Sequence, residues 1–144
     1  MKKLTLRRFC LALCLCALTF AAPMNAAAKI APKSAPTTPK PGSAERKAIM
    51  DALRKPVQKA TKFPVIFRVG HLKVLNGWAF FSGNALRADG KAIGDDFLWG
   101  ETSALLRKQG KSWTVLHWGF ATDTGIVDES KAKWKQAPRA IFPG

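Results

Sequence analysis

Apolar residues along this chain follow three rhythms, and each predicts a different element. From Phe9 to Ala22 they run unbroken; after Ser43 they fall at helical spacing, with Ile49, Ala52 and Leu53 on one face; from Val65 to Ala121 they form runs rich in β-branched and aromatic side chains. The middle rhythm predicts a helix. Ser43 stands where an N-cap hydroxyl is needed, and Glu45 puts a carboxylate in the first turn, where the helix dipole favours it. Pro56 lacks a backbone N–H and restricts Lys55, so the helix is expected to end or kink near Arg54, with a further short turn through Val57 and Ala60.

Two hairpins follow. Val65–Leu75 and Trp78–Leu86 are separated by Asn76-Gly77, a pair that accepts the positive φ of a two-residue turn. That turn sets the register: Leu75 opposite Trp78, Val74 opposite Ala79, Lys73 opposite Phe80, Leu72 opposite Phe81, His71 opposite Ser82. Val65, Phe67 and Val69 are odd-numbered, Leu72 and Val74 even. One extra residue in a bulge near Gly70 therefore puts all five on one face and turns His71 and Lys73 to the other. After the turn-rich stretch Ala88–Asp96, strands Phe97–Lys108 and Ser112–Ala121 flank Gln109-Gly110-Lys111. Alternation in the last strand puts Leu116, Trp118 and Phe120 on one side, Trp113, Val115 and His117 on the other. Both sides are apolar. One can lie on the helix; the other needs cover, either from Trp134, Ile141 and Phe142 of the tail Asp128–Gly144 or from a partner. The expected fold is α+β: an N-terminal helix on a four-stranded antiparallel meander, in the manner of cystatin-like or nuclear-transport-factor-2-like cones, with a short C-terminal helical tail.

The start of the chain reads as an address. Lys2, Lys3, Arg7 and Arg8 precede the apolar stretch of 14 residues, and Ala26-Ala27-Ala28 supplies the small residues of a cleavage site, so residues 1–28 are expected to be a signal peptide. A membrane anchor would need about 20 apolar residues, and Pro23 and Asn25 interrupt this run. All three cysteines, Cys10, Cys14 and Cys16, lie inside it, so the mature chain is expected to carry no thiol and no transmembrane segment. Leu13 and Leu15 precede Cys14 and Cys16 where a lipoprotein signal wants a small residue. These features point to a bacterial periplasm, or to secretion. Residues 29–43, with four prolines among lysines and small residues, read as a disordered linker, extended and mobile. Residues 44–144 form the single domain, where 17 basic and 9 acidic side chains leave a charge of +8 within the chain's +15.

ERKAIMDALRKPV (Glu45–Val57), HLKVLNGWAFFSG (His71–Gly83), ALLRKQGKSWTV (Ala104–Val115), ATD (Ala121–Asp123) and PRAIF (Pro138–Phe142) resemble a family of small exported bacterial proteins, of the proteobacterial type, whose function is unassigned. The resemblance covers nearly all of residues 44–144. It implies one domain and export, and brings no catalytic residues. The chain is short between Asp89 and Phe97 relative to that pattern.

No complete reactive constellation is legible, and no cofactor is called for. With His71 and His117 the only histidines, a metal site would have to recruit Asp95, Asp96, Glu101 or Asp123, and no ligand spacing joins them. His71, Ser82 and Asp123 compose a Ser-His-Asp set by residue type, but a cross-strand His–Ser pair is usually a solvated ladder contact. Asp95-Asp96 beside Phe97 and Trp99 suits a general base in an apolar rim, or simply a turn. Basic residues with Trp78 and Trp113 suit a nucleic-acid surface, which export argues against.

Three functions are consistent with these features. The first is a non-enzymatic binding or accessory module of the envelope, monomeric or homodimeric, that contacts an anionic surface or protein partner through Arg68, Lys73, Arg107, Lys108 and Lys111, with Trp78 as apolar anchor. The second is a small-molecule-binding cone, which in an enzymatic form would use Asp96 or Asp123 as base with His71 assisting. The third is an inhibitor-like protein that presents the loop Ala88–Asp96 to a hydrolase.

Overall fold

Residues 34–93, 101–120 and 125–144 are described by a computed structural model. The leader at 1–28, the first residues of the proline-rich stretch, and Asp95, Asp96, Phe97, Trp99 and Asp123 lie outside the described residues.

Helix α1 spans Ala44–Thr61. The Ser43 hydroxyl accepts from the Arg46 N–H at 3.3 Å, as the sequence predicts, and Ile49, Met50, Leu53 and Val57 form the buried stripe. Pro56 does not end the helix, which is a correction. Val57 lies one turn beyond Leu53 on the same stripe and is fully buried. Its burial contributes about 2 kcal/mol against the roughly 3 kcal/mol an internal proline costs. The last turn is closed by the Thr61 hydroxyl on the Val57 carbonyl (3.0 Å) and by the N–H of Lys62, in the left-handed region at φ 63°, on the Gln58 carbonyl (2.9 Å).

Strands β1 (Val65–Leu75), β2 (Trp78–Arg87), β3 (Glu101–Gln109) and β4 (Ser112–Phe120) form one antiparallel sheet in sequence order. All five predicted β1–β2 pairs occur, with Asn76 and Gly77 both at positive φ, and the register shifts between Val69 and His71 as the phase change at Gly70 requires. Val65, Phe67, Val69, Leu72 and Val74 accordingly share the face packed on α1.

The faces of β4 need correction. A second register shift, between Leu105 and Leu106, leaves Leu116 without a partner, so Trp113, Val115, Trp118 and Phe120 all join the α1 side while Leu116 faces away. Strict alternation fails there because an extra residue resets it.

The second face is covered by the chain's own tail. Helix α2 (Gly125–Lys133) and a 3-10 turn at Arg139–Ile141 bring Val127, Ala137, Ile141 and Phe142 onto Leu75, Trp78, Phe80 and Leu105. Residues 34–43 also depart from a free tether. Thr37 exchanges two backbone hydrogen bonds with Val74, at 2.9 and 2.8 Å, Pro39 is buried, and its carbonyl accepts from the Arg46 guanidinium at 3.2 Å. The edge of β1 offers unpaired backbone groups, and an extended proline-rich segment can meet them without a side-chain core.

Candidate functional site

The six predicted contact residues do not form one surface. Trp78 is 6% exposed, sealed by the tail on one side and by the Arg107 guanidinium 4.6 Å over its ring, so it cannot serve as a free anchor. Arg107 also donates to the Asn76 carbonyl at 2.8 Å. Lys108 belongs to the opposite face of β3, near Glu45 (3.4 Å) and 5.8 Å over the Trp113 ring. Lys111 stands exposed in the β3–β4 turn. Lys73 lies half-buried on the tail side, paired with Phe80. Arg68 shares a row with Asn84 and Glu101, six register positions from the Trp78–Arg107 row, roughly 20 Å at the rise of a strand.

What the structure does assemble is a groove between α1 and the outer side of β4. Its volume is about 500 Å³; Ala48, Ala52 and Pro56 of α1 form one wall, and Trp113, Val115 and Trp118 of β4 the other. The wall on α1 is a stripe of small side chains at successive i, i+4 positions. The rim is basic: Lys55 and Lys111 are exposed and form no ion pair among the described residues. Asp51, the acid on the rim, accepts from Lys47 at 2.7 Å and from Arg54 at short range. The Lys47 hydrogen bond, then that of Arg54, holds its carboxyl below the usual range. It is a committed group, and the groove's uncommitted charge is positive.

Sequence reasoning passed over this groove. The available signal was the Ala48-Ala52-Pro56 spacing together with a strand, Ser112–Phe120, that contains neither acid, lysine, arginine nor proline. Which sheet edge the helix overhangs is a tertiary fact.

The nearest approach to catalytic geometry is elsewhere. His117 has Nε2 3.2 Å from the Glu129 carboxylate and Nδ1 3.1 Å from the Ser130 hydroxyl. A carboxylate can only accept from the ring, so Nε2 carries the proton there, and in the neutral ring Nδ1 accepts from Ser130. The order of a Ser-His-acid triad is present, but its exposure is inverted: Ser130 is fully buried while the Glu129 side chain is 69% exposed. A nucleophile must reach substrate. This set instead holds α2 on β4. His71 acts similarly, donating from Nε2 to the Ile141 carbonyl at 2.7 Å, and among the described residues no side-chain hydrogen bond joins it to its cross-strand neighbour Ser82. Both histidines fasten the C-terminal layer. Among the described residues no three His, Cys, Asp or Glu gather as metal ligands.

Of the loop Ala88–Asp96 the described part, residues 88–93, turns back on the end of β2. Leu86 bridges to Ala92, the Arg87 N–H bonds the Lys91 carbonyl at 2.8 Å, and Ile93 is buried.

Comparison with protein-family models, with curated proteins and with solved structures finds no match. Function has to be sought in the geometry and charge of this chain.

Proposed function

We propose that this chain is an exported binding module of the bacterial envelope, one of the small exported proteins it resembles, which grips an acidic protein partner at the groove between α1 and β4. The observation that carries the reading is the groove itself: uncommitted Lys55 and Lys111 stand beside apolar walls containing Trp113 and Trp118. Apolar area gives such a contact its affinity, and unpaired cations on the rim select an acidic partner and speed its approach. Export rests on the basic, apolar and small-residue succession at residues 1–28.

In shape we read it as a helix laid across a sheet in the cystatin-like manner, a reading that the filled space between α1 and the sheet supports over a ligand-holding cone. Ile49, Leu53, Val57, Phe81 and Leu106 are all fully buried between α1 and the sheet, leaving a filled core where a cone would hold its ligand.

The test is retention of envelope-extract proteins on the immobilised protein at ionic strengths of about 0.01 M and 0.15 M, where screening lengths are about 30 and 8 Å. Lys55→Glu with Lys111→Glu abolishes the retention seen at low salt, while Arg68→Glu leaves it. Retention by the double variant equal to the parent's at both salts overturns the reading.

A further inference from the structure

The groove borders a sheet edge, and the two edges of this sheet are finished differently. On β1, Thr37 occupies the backbone groups of Val74, and Arg68 and Lys73 add charge. Along Ser112–Val115 of β4, no strand pairs with the outer edge among the described residues. Edges are ordinarily guarded by charge, proline or a bulge. β4 has no Asp, Glu, Lys, Arg or proline, and its guard is the bulge at Leu116, which interrupts the ladder between Val115 and His117 and sets off the four residues Ser112–Val115 as one regular stretch of edge.

Those four residues are the ones beside the groove. A strand added to β4 would lie about 4.8 Å beyond it, with alternate side chains pointing to opposite faces. On one face it would meet the Ala48-Ala52-Pro56 wall of α1, which lines the groove together with Ser112–Val115, and small side chains leave depth there for apolar ones. A helix that already walls the groove beside this edge supplies packing for one face of such a strand. The charge specifies the occupant further. Lys111 at the start of β4 and Lys55 across the groove favour acidic residues flanking the paired segment, and disfavour a second copy, which would set two domains of +8 edge to edge.

We infer that the groove takes an extended peptide segment of a partner protein, which adds to Ser112–Val115 as a fifth strand, buries alternate apolar side chains against α1, and carries acidic residues toward Lys55 and Lys111. This deepens the proposed function and rests on it. Backbone bonds add to the affinity that the apolar walls give, and the α1 pocket with the two lysines provides the selectivity.

The test selects peptides from a random display library on the purified protein, then synthesises the enriched sequences with N-methyl groups at alternate backbone positions, in one phase or the other. Only one edge of an added strand bonds β4. Methylation in one phase is therefore expected to weaken binding at least tenfold, and in the other to change it little. Hydrogen exchange of the complex should slow within Ser112–Val115 and stay unchanged along Val65–Leu75. Enriched sequences should lack proline in the paired core and carry Asp or Glu beside it. Equal sensitivity to both methylation phases, protection elsewhere, or no enrichment overturns strand addition. If Lys55→Glu with Lys111→Glu abolishes peptide binding while the two phases behave alike, the acidic-partner groove stands and the fifth strand falls; if that double variant binds normally, the groove reading itself fails. A dimer in sedimentation that the peptide dissociates assigns the edge to a second copy, and lysine-dependent binding to phosphatidylglycerol vesicles without peptide enrichment assigns it to a membrane. Either result overturns the inference.

Discussion

Gly83 faces the backbone of Arg68 so closely that a β-carbon on it would stand 2.2 Å from the Arg68 carbonyl oxygen. The contact follows from the bulge at Gly70, which draws β1 across β2, and the same β-carbon would lie 2.9 Å from the Gly70 nitrogen. Backbone on both sides cannot yield as a side-chain tip can. Gly83→Ala is expected to destabilise the domain by roughly 2–3 kcal/mol, measured by urea unfolding. Gly70→Ala, whose β-carbon would sit 3.3 Å from the Ser82 carbonyl, should cost less. Equal stability of Gly83→Ala and the parent would contradict the bulge geometry.

The C-terminal layer is part of the core. Ile141 is fully buried beneath the sheet face that holds Phe80 and Leu105, so Ile141→Ala should cost about 2–4 kcal/mol and increase binding of an apolar dye. A variant as stable as the parent would mean that the tail is not the cover.

Ser130 should prove structural. Ser130→Ala removes the donor to His117 in a buried place and should cost about 1 kcal/mol, and a fluorophosphonate reagent should leave Ser130 unlabelled because no substrate-sized group reaches it. Labelling at Ser130 would establish the nucleophile that its burial argues against.

Asp51 provides a pH signature. Lys47 and Arg54 lower its pKa in the folded state, so its contribution to stability is complete above the ordinary carboxylate pKa and is lost as pH falls through the lowered value. Asp51→Asn should flatten the acid limb of melting temperature against pH between about pH 2 and pH 5. Parallel curves would show that the two hydrogen bonds do not hold in solution.

How much of this was legible in the sequence depended on how local each signal was. Asn76-Gly77 and the odd-to-even change at Gly70 specify the first hairpin within a dozen residues, and its register came out pair by pair. The same reasoning missed the bulge at Leu116, because Trp113, Val115, Leu116, Trp118 and Phe120 are apolar in both phases and no phase change shows. Pro56 stays inside α1 against the local rule, which leaves out the burial of Val57 that offsets much of the proline's cost. Trp78 and Arg107 were expected only among six residues of one contact surface; their pairing depends on the β2–β3 register, and Ile141 and Phe142 of the tail that seals the tryptophan arrive from more than sixty residues away, although both were recognisable as candidates to cover that face. Thr37 and the groove were invisible for the same reason: each depends on which strand is the edge, and on where α1 crosses it.

The central claim is that uncommitted cations at the α1–β4 groove take an acidic partner, and titration of the purified protein with poly-L-glutamate, followed by backbone amide NMR, tests it most directly. At about 0.01 M salt the largest shifts should fall at Lys55 and from Lys111 to Val115, and most of the effect should vanish at about 0.15 M. Shifts concentrated instead at Arg68, or on Lys131, Lys133 and Arg139 of the tail, with Lys55 and Lys111 silent, would contradict the account.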